Sequence, residues 1–461
     1  MKNRSIFSLA LLCGLVVSAL MHTGHVFSYD LHRMVQVVVL VMVGVLMVWL
    51  PQSVLTGLSA LGRRHAWLMG TAFALGALSS VFAARPHFAG LEWALFFLLF
   101  VLVLAVSQEA YRHPEQFDRW MRWVLAAVAV IVFLKIMLVY LVALLKGAML
   151  DSAALFYPGF SNRRFFGQIA TLIIPLLAYP LLIAQGSRER FFWRVMLALW
   201  WALLLASATR GSFMALLVAS IVLLVLNRQK TLPWLKTQAA CLGLGVVIYG
   251  VVFIWLPEQL NQAVSMESRV NDFSSLSNRD VIWRIALHHI TAHPLLGIGP
   301  MHFANEMNPV AAHPHNALLQ LAAEWGTPAA LAWLIVAMTS CWAFLKRIQT
   351  GGTQDWLGTS LAVALLGAAA QSMVDGMIVV PYTQLWLVAV IAWAIGVYLR
   401  GSTSFLLGNS SIAIFRLLIA LTIGLLVWGV YPEMFNIQEL ASKYRMAMVP
   451  RFWAQGWLEY Y

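Results

Sequence analysis

Thirteen apolar runs, each near the length of a membrane-spanning helix, constrain this chain more than any other feature. A bilayer core needs about 20 apolar residues per helix. Runs of that order lie near 6–22, 34–50, 66–84, 91–107, 120–146, 165–186, 191–207, 211–226, 238–256, 328–345, 356–375, 380–399 and 413–431. Hydrophobic residues make up 61% of the 461 positions and charged residues 10%, whereas a soluble domain carries about 25% charge. The mean hydropathy is +0.80. No water-soluble core hides that much apolar surface, so lipid is the expected solvent and membrane lipids are the first expected partner. The spacing predicts an all-α polytopic membrane protein with 12–13 transmembrane helices in a single integral membrane domain, 1–461. Lys2, Arg4 and the run from Ile6 to Leu20 have the form of a signal peptide, but the apolar segments that follow favour a retained first span.

The net charge of +12 would point to nucleic acid in a soluble protein. Here the basic residues sit in short loops, so topology explains them and no nucleic-acid partner is expected. With the N-terminus inside, the cytoplasmic segments hold Lys2, Arg4, Arg63, Arg64, Arg112, Arg119, Arg122, Arg188, Arg190, Arg194, Arg228, Lys230, Lys236, Lys346, Arg347, Arg400 and Arg416, 17 of the 30 basic residues. Short outer loops hold about one each, such as Arg33 and Arg85. The positive-inside rule therefore places the N-terminus in the cytoplasm. Residues 257–327, the one long hydrophilic stretch, then face outward as a loop expected to carry short helices and the chemistry. Residues 432–461, with Phe452, Trp453, Trp457, Tyr460 and Tyr461, read as an interfacial tail helix on the same outer face. Cys13, Cys241 and Cys341 each lie within an apolar run, which gives neither a disulfide framework nor a cysteine-ligated metal.

Within the outer loop, Ser277-Asn278-Arg279 and Trp283-Arg284 precede the turn Pro294-Leu295-Leu296-Gly297-Ile298-Gly299-Pro300. Residues 279–292 carry apolar Ile282, Ile285, Ala286 and Ile290 at about one-turn spacing, which predicts a helix. Next come Ala312-His313-Pro314-His315-Asn316, nine residues, and Gly326-Thr327-Pro328. Pro314 is expected to start a second helix that stops at Gly326, with His315 in its first turn, where unpaired N–H groups favour anions. Asn316, Gln320 and Glu324 recur every fourth residue and give that helix a polar face. Thr327 and Pro328 suit the cap and first position of the next span.

His-Asn, nine residues and Gly, preceded by the Arg279/Trp283 segment and the Pro-Leu-Leu-Gly-Ile-Gly turn, resembles the O-antigen ligase and polymerase superfamily. So does Ser207-Ala208-Thr209-Arg210-Gly211 at the outer start of the eighth span. The resemblance covers about residues 160–345. It implies a bacterial inner-membrane enzyme with a periplasmic site, an undecaprenyl-diphosphate-linked glycan as donor and a sugar hydroxyl of the lipid A core as acceptor, with inversion and without metal or cofactor. It also implies that Arg210 and Arg279 bind the diphosphate and that His315 is catalytic. Protein O-oligosaccharyltransferases of the same superfamily usually add a large periplasmic domain after the last span. The chain ends about 30 residues after it, which favours the ligase branch, whereas Asp375 before Pro381-Tyr382 resembles the protein-transferase branch. Repeat-unit polymerase and protein transferase remain alternatives, with a lipid or solute transporter from another class.

The chemistry of the residues supports those roles separately. A glycosyl diphosphate needs its developing charge stabilised, for which planar, permanently charged arginine is suited. The acceptor hydroxyl must lose a proton, which histidine accepts at neutral pH. No Asp-x-Asp occurs to hold a divalent ion, and Pro314 between His313 and His315, without a nearby carboxylate in the sequence, argues against zinc. Against these readings stand ordinary ones. Arg210 alone reads as a snorkelling side chain and Arg279 as a solvated loop charge. Arg163 and Arg164 at the outer start of the sixth span either meet the donor or snorkel. Arg284, His313, Asn316, Gln320 and Glu324 are secondary candidates, Glu324 either orienting His315, binding acceptor or packing. Lys135, in mid-span, is expected to meet a structural partner inside the bundle.

Overall fold

A computed structural model describes residues 5–22, 24, 26–262, 264–265, 278–351, 354–399, 409–443 and 449–458. Lys2, Arg4, Ser277, Arg400, Tyr460 and Tyr461 lie outside the described residues, as does most of 263–277 within the long loop. The first helices are α1 (Ile6–Leu20), α2 (Ser28–Trp49), α3 (Gln52–Ala60), α4 (Arg63–Val81), α5 (Pro86–Arg112) and α6 (Pro114–Leu145). Then follow α7 (Ser152–Phe160), α8 (Arg163–Ile183), α9 (Ser187–Ser207), α10 (Arg210–Leu226) and α11 (Arg228–Tyr249), the last continued by a π turn and α12 (Leu256–Gln259). The loop contributes α13 (Arg279–Ala292) and α14 (Ala317–Trp325). Completing the chain are α15 (Thr327–Thr350), α16 (Trp356–Gln371), α17 (Pro381–Ala394, with a π turn to Leu399) and α18 (Asn409–Lys443). Proline in the first turn starts α5, α6, α15 and α17, where its missing N–H costs nothing.

The protein is a nearly all-helical, multi-pass membrane protein. Nine helices among the described residues are long and apolar enough to cross a membrane, and Ile6–Leu20, Arg210–Leu226 and Trp356–Gln371 are shorter apolar helices. The one remaining expected span, 66–84, coincides with α4, which is not among those twelve. The centre of the bundle is α8, α5 and α17, whose apolar windows are 89%, 78% and 67% buried, whereas α6, α11 and α18 leave most of theirs facing outward.

Two departures from sequence expectation shape the site. At 16 residues, α16 spans about 24 Å, short of a hydrocarbon core of about 30 Å. The chain then runs as irregular backbone through 372–380, tolerated at such depth only when its polar groups are bonded within the protein. They are: Ser372 O accepts from Ala317 N, Met373 O from Asn316 Nδ2, Ile378 O from Gln384 Nε2 and Val379 O from Arg33 Nη2. The second departure is the tail. Helix α18 runs to Lys443, and residues 449–458 form no α-helix. Phe452, Trp453 and Trp457 are buried, because Ala454 N donates to Asp30 and Arg33 Nε donates to Phe452 O, drawing the segment inside. Lys135 meets its structural partner: its ammonium donates to Ala19 O at 2.8 Å and also to Met21 O, capping the end of α1.

Candidate active site

The loop begins at Arg279, the first residue of α13, which packs Ile282 and Ala286 against Phe303 and Ala323. The following turn closes over the end of α14. Ile298 N and Gly299 N donate to Ala323 O and Glu324 O, both at 2.9 Å, satisfying carbonyls that a helix end leaves open. Glycine is required where these backbones meet. Gly326 has φ +87°, and a Cβ there would lie 2.1 Å from Leu295 O.

Helix α14 starts at Ala317, three residues later than the expected start at Pro314, so His315 is not in its first turn. Asn316 is the better cap: its side chain accepts from Leu319 N at 3.0 Å while its amide donates to Met373 O at 3.1 Å. Likewise Gly326, not Thr327, caps α15. His315 therefore lies just outside the helix, in left-handed backbone at φ +52°, a conformation that costs a non-glycine residue on the order of 1–3 kcal/mol. Its neighbours hold it there. Trp283 Nε1 donates to Pro314 O at 3.0 Å, and His315 N donates to His313 Nδ1 at 3.2 Å. That bond makes His313 Nδ1 an acceptor and leaves the ring proton on Nε2.

The His315 side chain is 14% exposed, with Nδ1 3.8 Å from Asp375 Oδ1 and no hydrogen-bond partner. Burial pushes its pKa down to about 4; Arg164 and Arg279 act in the same direction, and Asp375 opposes them. The ring is neutral at physiological pH and able to accept a proton. Asp375 is fixed by Gly376 N on Oδ1 at 2.8 Å and by Gln371 Nε2 on Oδ2 at 3.3 Å. Gln371 in turn holds Ser212 of α10 and Thr171 of α8, at 3.1 and 2.6 Å.

Three helices open with arginine around this centre: Arg163 and Arg164 start α8, Arg210 starts α10 and Arg279 starts α13. Each guanidinium thus stands at the positive end of a helix dipole, an arrangement suited to an anion. Helices α8 and α10 approach closely because Gly167 has no side chain; a Cβ there would meet Thr209 Oγ1 and Ser212 Oγ at 2.6 Å. Burial lowers the Arg279 pKa, Arg164 and Arg210 add to it and Asp375 opposes it, so these charges share one field. The Arg279 Nε is buried without a hydrogen-bond partner. A pocket of about 370 Å³ is lined by Asn162, Arg163, Arg164, His313, His315 and Asp375, among others. Arg210 and Arg279 are not part of this lining; Arg279 acts on His315, and Arg210 acts on Arg279.

The other sequence candidates lie elsewhere. Arg284 is exposed and paired with Asp280 at 3.0 Å. Gln320 and Glu324 are buried against Arg451 and do not reach His315: Glu324 Oε2 accepts from Arg451 Nη2 at 2.5 Å. Asn316 serves as the cap. The sequence offered no signal for Trp283 as the clasp on Pro314, nor for Asn162, Val449 and Pro450 in the pocket. Asp375 stood out only through its surroundings before Pro381-Tyr382. Among the described residues, no group of three or more His, Cys, Asp or Glu is arranged to hold a metal ion.

Fold and site together define a multi-pass membrane protein with a cationic pocket around a neutral histidine, at the end of the bundle where α8, α10, α15 and α17 begin. Residues 195–334 match the O-antigen ligase family model, which supports membership of that superfamily. The matched segment runs from α9 into α15 and contains Arg210, Arg279 and His315. The family implies a glycosyltransferase-type enzyme acting on lipid-linked glycans in a membrane. No curated protein matches the chain.

Proposed function

We propose that the protein is an O-antigen ligase of the bacterial inner membrane, its pocket facing the periplasm. It would transfer a glycan from undecaprenyl diphosphate to a sugar hydroxyl of the lipid A core. The observation that carries this reading is the neutral His315 in a pocket lined by Arg163 and Arg164, with Arg279 acting on it and Arg210 acting on Arg279. Arg163 and Arg164 line the pocket with Asp375, and Arg164 and Arg279 act on His315, a cationic setting suited to the two phosphates of a lipid diphosphate. The periplasmic placement rests on the charge pattern, with Arg63, Arg188, Arg228 and Lys230 at the opposite ends of the helices from the pocket.

In the proposed step the acceptor oxygen attacks the anomeric carbon as the bond to the diphosphate breaks, with inversion. His315 takes the hydroxyl proton, and the arginines hold the charge that collects on the leaving undecaprenyl diphosphate. Donor binding also prepares the base. The phosphates offset the arginines that depress the His315 proton affinity, so His315 becomes a better acceptor once the donor is seated. Asp375 beside the ring then stabilises the imidazolium.

The test is transfer by purified protein from an undecaprenyl-diphosphate glycan to three acceptors offered separately: lipid A core, a protein substrate and a second lipid-linked repeat. Ligase activity predicts product on lipid A core alone. Product on protein or on the second repeat would move the assignment to a sister branch, and no transfer to any of them would refute it.

A further inference from the structure

Residues 449–458 pass through the interior of the protein, and Arg451, 1% exposed, is their anchor. Its guanidinium donates from Nη2 to Glu92 Oε1 on α5 at 2.7 Å and from Nε to Glu92 Oε2 at 3.2 Å. Nη2 also reaches Glu324 Oε2 on α14 at 2.5 Å. With its amide oxygen turned toward the guanidinium, Gln320 accepts from Nη1 and Nη2 at 2.9 and 3.0 Å. The second oxygen of Glu324 accepts from Phe303 N at 3.0 Å. The Arg451 backbone is held as firmly, its carbonyl accepting from Tyr29 OH at 2.5 Å and Arg33 Nη2 at 3.3 Å.

This junction has the pocket on both sides. The two residues before Arg451, Val449 and Pro450, line the pocket. The helix that Arg451 grips, α14, is the one Asn316 caps immediately after His315. Apolar contacts alone would let a ten-residue segment settle in several registers along its neighbours. A bidentate fork between two fixed carboxylates admits one. Burial opposes the Arg451 charge, but Glu324 and Glu92 more than reverse this and keep it protonated.

We propose that Arg451 is a positioning residue for the His315 centre, locking the pocket wall at Val449 and Pro450 and helix α14 into one rigid unit. Its catalytic consequence rests on the transfer reaction proposed above; its mechanical consequence does not.

The experiment combines Val449→Cys with intact Arg451, Arg451→Met, Arg451→Lys or Glu324→Gln in detergent-solubilised full chain. Maleimide labelling at position 449 is followed by mass spectrometry, with native Cys241, buried in α11, reporting global opening. Donor affinity and single-turnover transfer are measured on the same panel without the cysteine substitution. Arg451→Met should speed labelling at 449 at least tenfold while Cys241 stays protected. Transfer should slow at least tenfold with donor affinity changed less than threefold, and Arg451→Lys should recover part of the rate. Unchanged labelling, unchanged transfer, or Cys241 exposed in step with position 449 would each overturn the proposal, the last by reducing Arg451 to a fold-holding residue. Should Arg451→Met fail to fold, Glu324→Gln decides, because it keeps the Arg451–Glu92 pair; labelling and transfer both at the parent level would overturn the proposal. A parent protein that transfers no glycan refutes the ligase reading and leaves the labelling result to stand or fall separately.

Discussion

Lowering the pH from 7.5 to 5.5 separates the buried His315 from an ordinary histidine base. Burial, aided by Arg164 and Arg279, holds its pKa near 4 in the unliganded site. At pH 5.5 a group held that low stays mostly neutral, whereas a histidine at the reference value of about 6.5 is about 9% neutral. If His315 is the proton acceptor, kcat/KM, which reports the free enzyme, should fall much less than tenfold between the two pH values. An unperturbed base would lose about tenfold over the same interval. Neither phosphate of the donor titrates in this range, since both are esterified. The acid limb of kcat should lie at higher pH than that of kcat/KM, because the bound diphosphate offsets the arginines. Stability moves with the same sign: the depressed pKa contributes stability above about 6.5 that is lost as pH falls toward 4. The assay is initial-rate transfer at subsaturating and saturating donor from pH 4.5 to 8. An acid limb of kcat/KM centred near 6.5 would refute the burial argument, and a kcat limb lying below it would refute the charge compensation.

Arg279→Ala should weaken both donor binding and turnover, because the diphosphate is held in the ground state and gains charge as it leaves. Arg210→Lys keeps the charge but loses the fork and should still impair transfer; donor titration with single-turnover kinetics checks both. Excess chelator should leave the transfer rate unchanged, and complete loss restored by magnesium would contradict a cationic mechanism. Gly326→Ala should destabilise the loop by more than the roughly 1–3 kcal/mol of a strained backbone, since its Cβ would lie 2.1 Å from Leu295 O; a thermal melt within a degree of wild type would contradict the close approach. A cysteine replacing exposed Arg284 should react with an impermeant thiol reagent in intact spheroplasts, and labelling only after lysis would invert the proposed topology.

Much of the fold is visible in the sequence because the bilayer makes it so. Thirteen apolar runs coincide with thirteen helices, and the periodicity of 279–292 gives α13 to the residue. Arg279 lies near enough to act on His315, and Arg163 and Arg164 line a pocket with His315. What stayed hidden depends on contacts between distant segments. The polar face of Asn316, Gln320 and Glu324 is real, but nothing local says that it turns to a buried Arg451 more than 100 positions away. An arginine among Phe452, Trp453 and Trp457 carries the pattern of an interfacial anchor, and only Glu92 and Glu324 make it an interior one. Asp375 reaches His315 because α16 stops short, a length no single motif encodes. The cap of α14 was misread for a local reason: Pro314 is a good first helical residue, but Asn316 is the stronger cap and moves the start to Ala317.

The most direct test of the central claim is His315→Ala, with donor affinity and single-turnover transfer measured on the same folded sample. The account predicts a rate loss of about 10²–10⁴-fold, the usual contribution of a general base, or about 3–5 kcal/mol at 1.36 kcal/mol per decade. Binding of the undecaprenyl-diphosphate donor should survive, because the arginines hold the diphosphate. Transfer at the wild-type rate by His315→Ala would contradict the account.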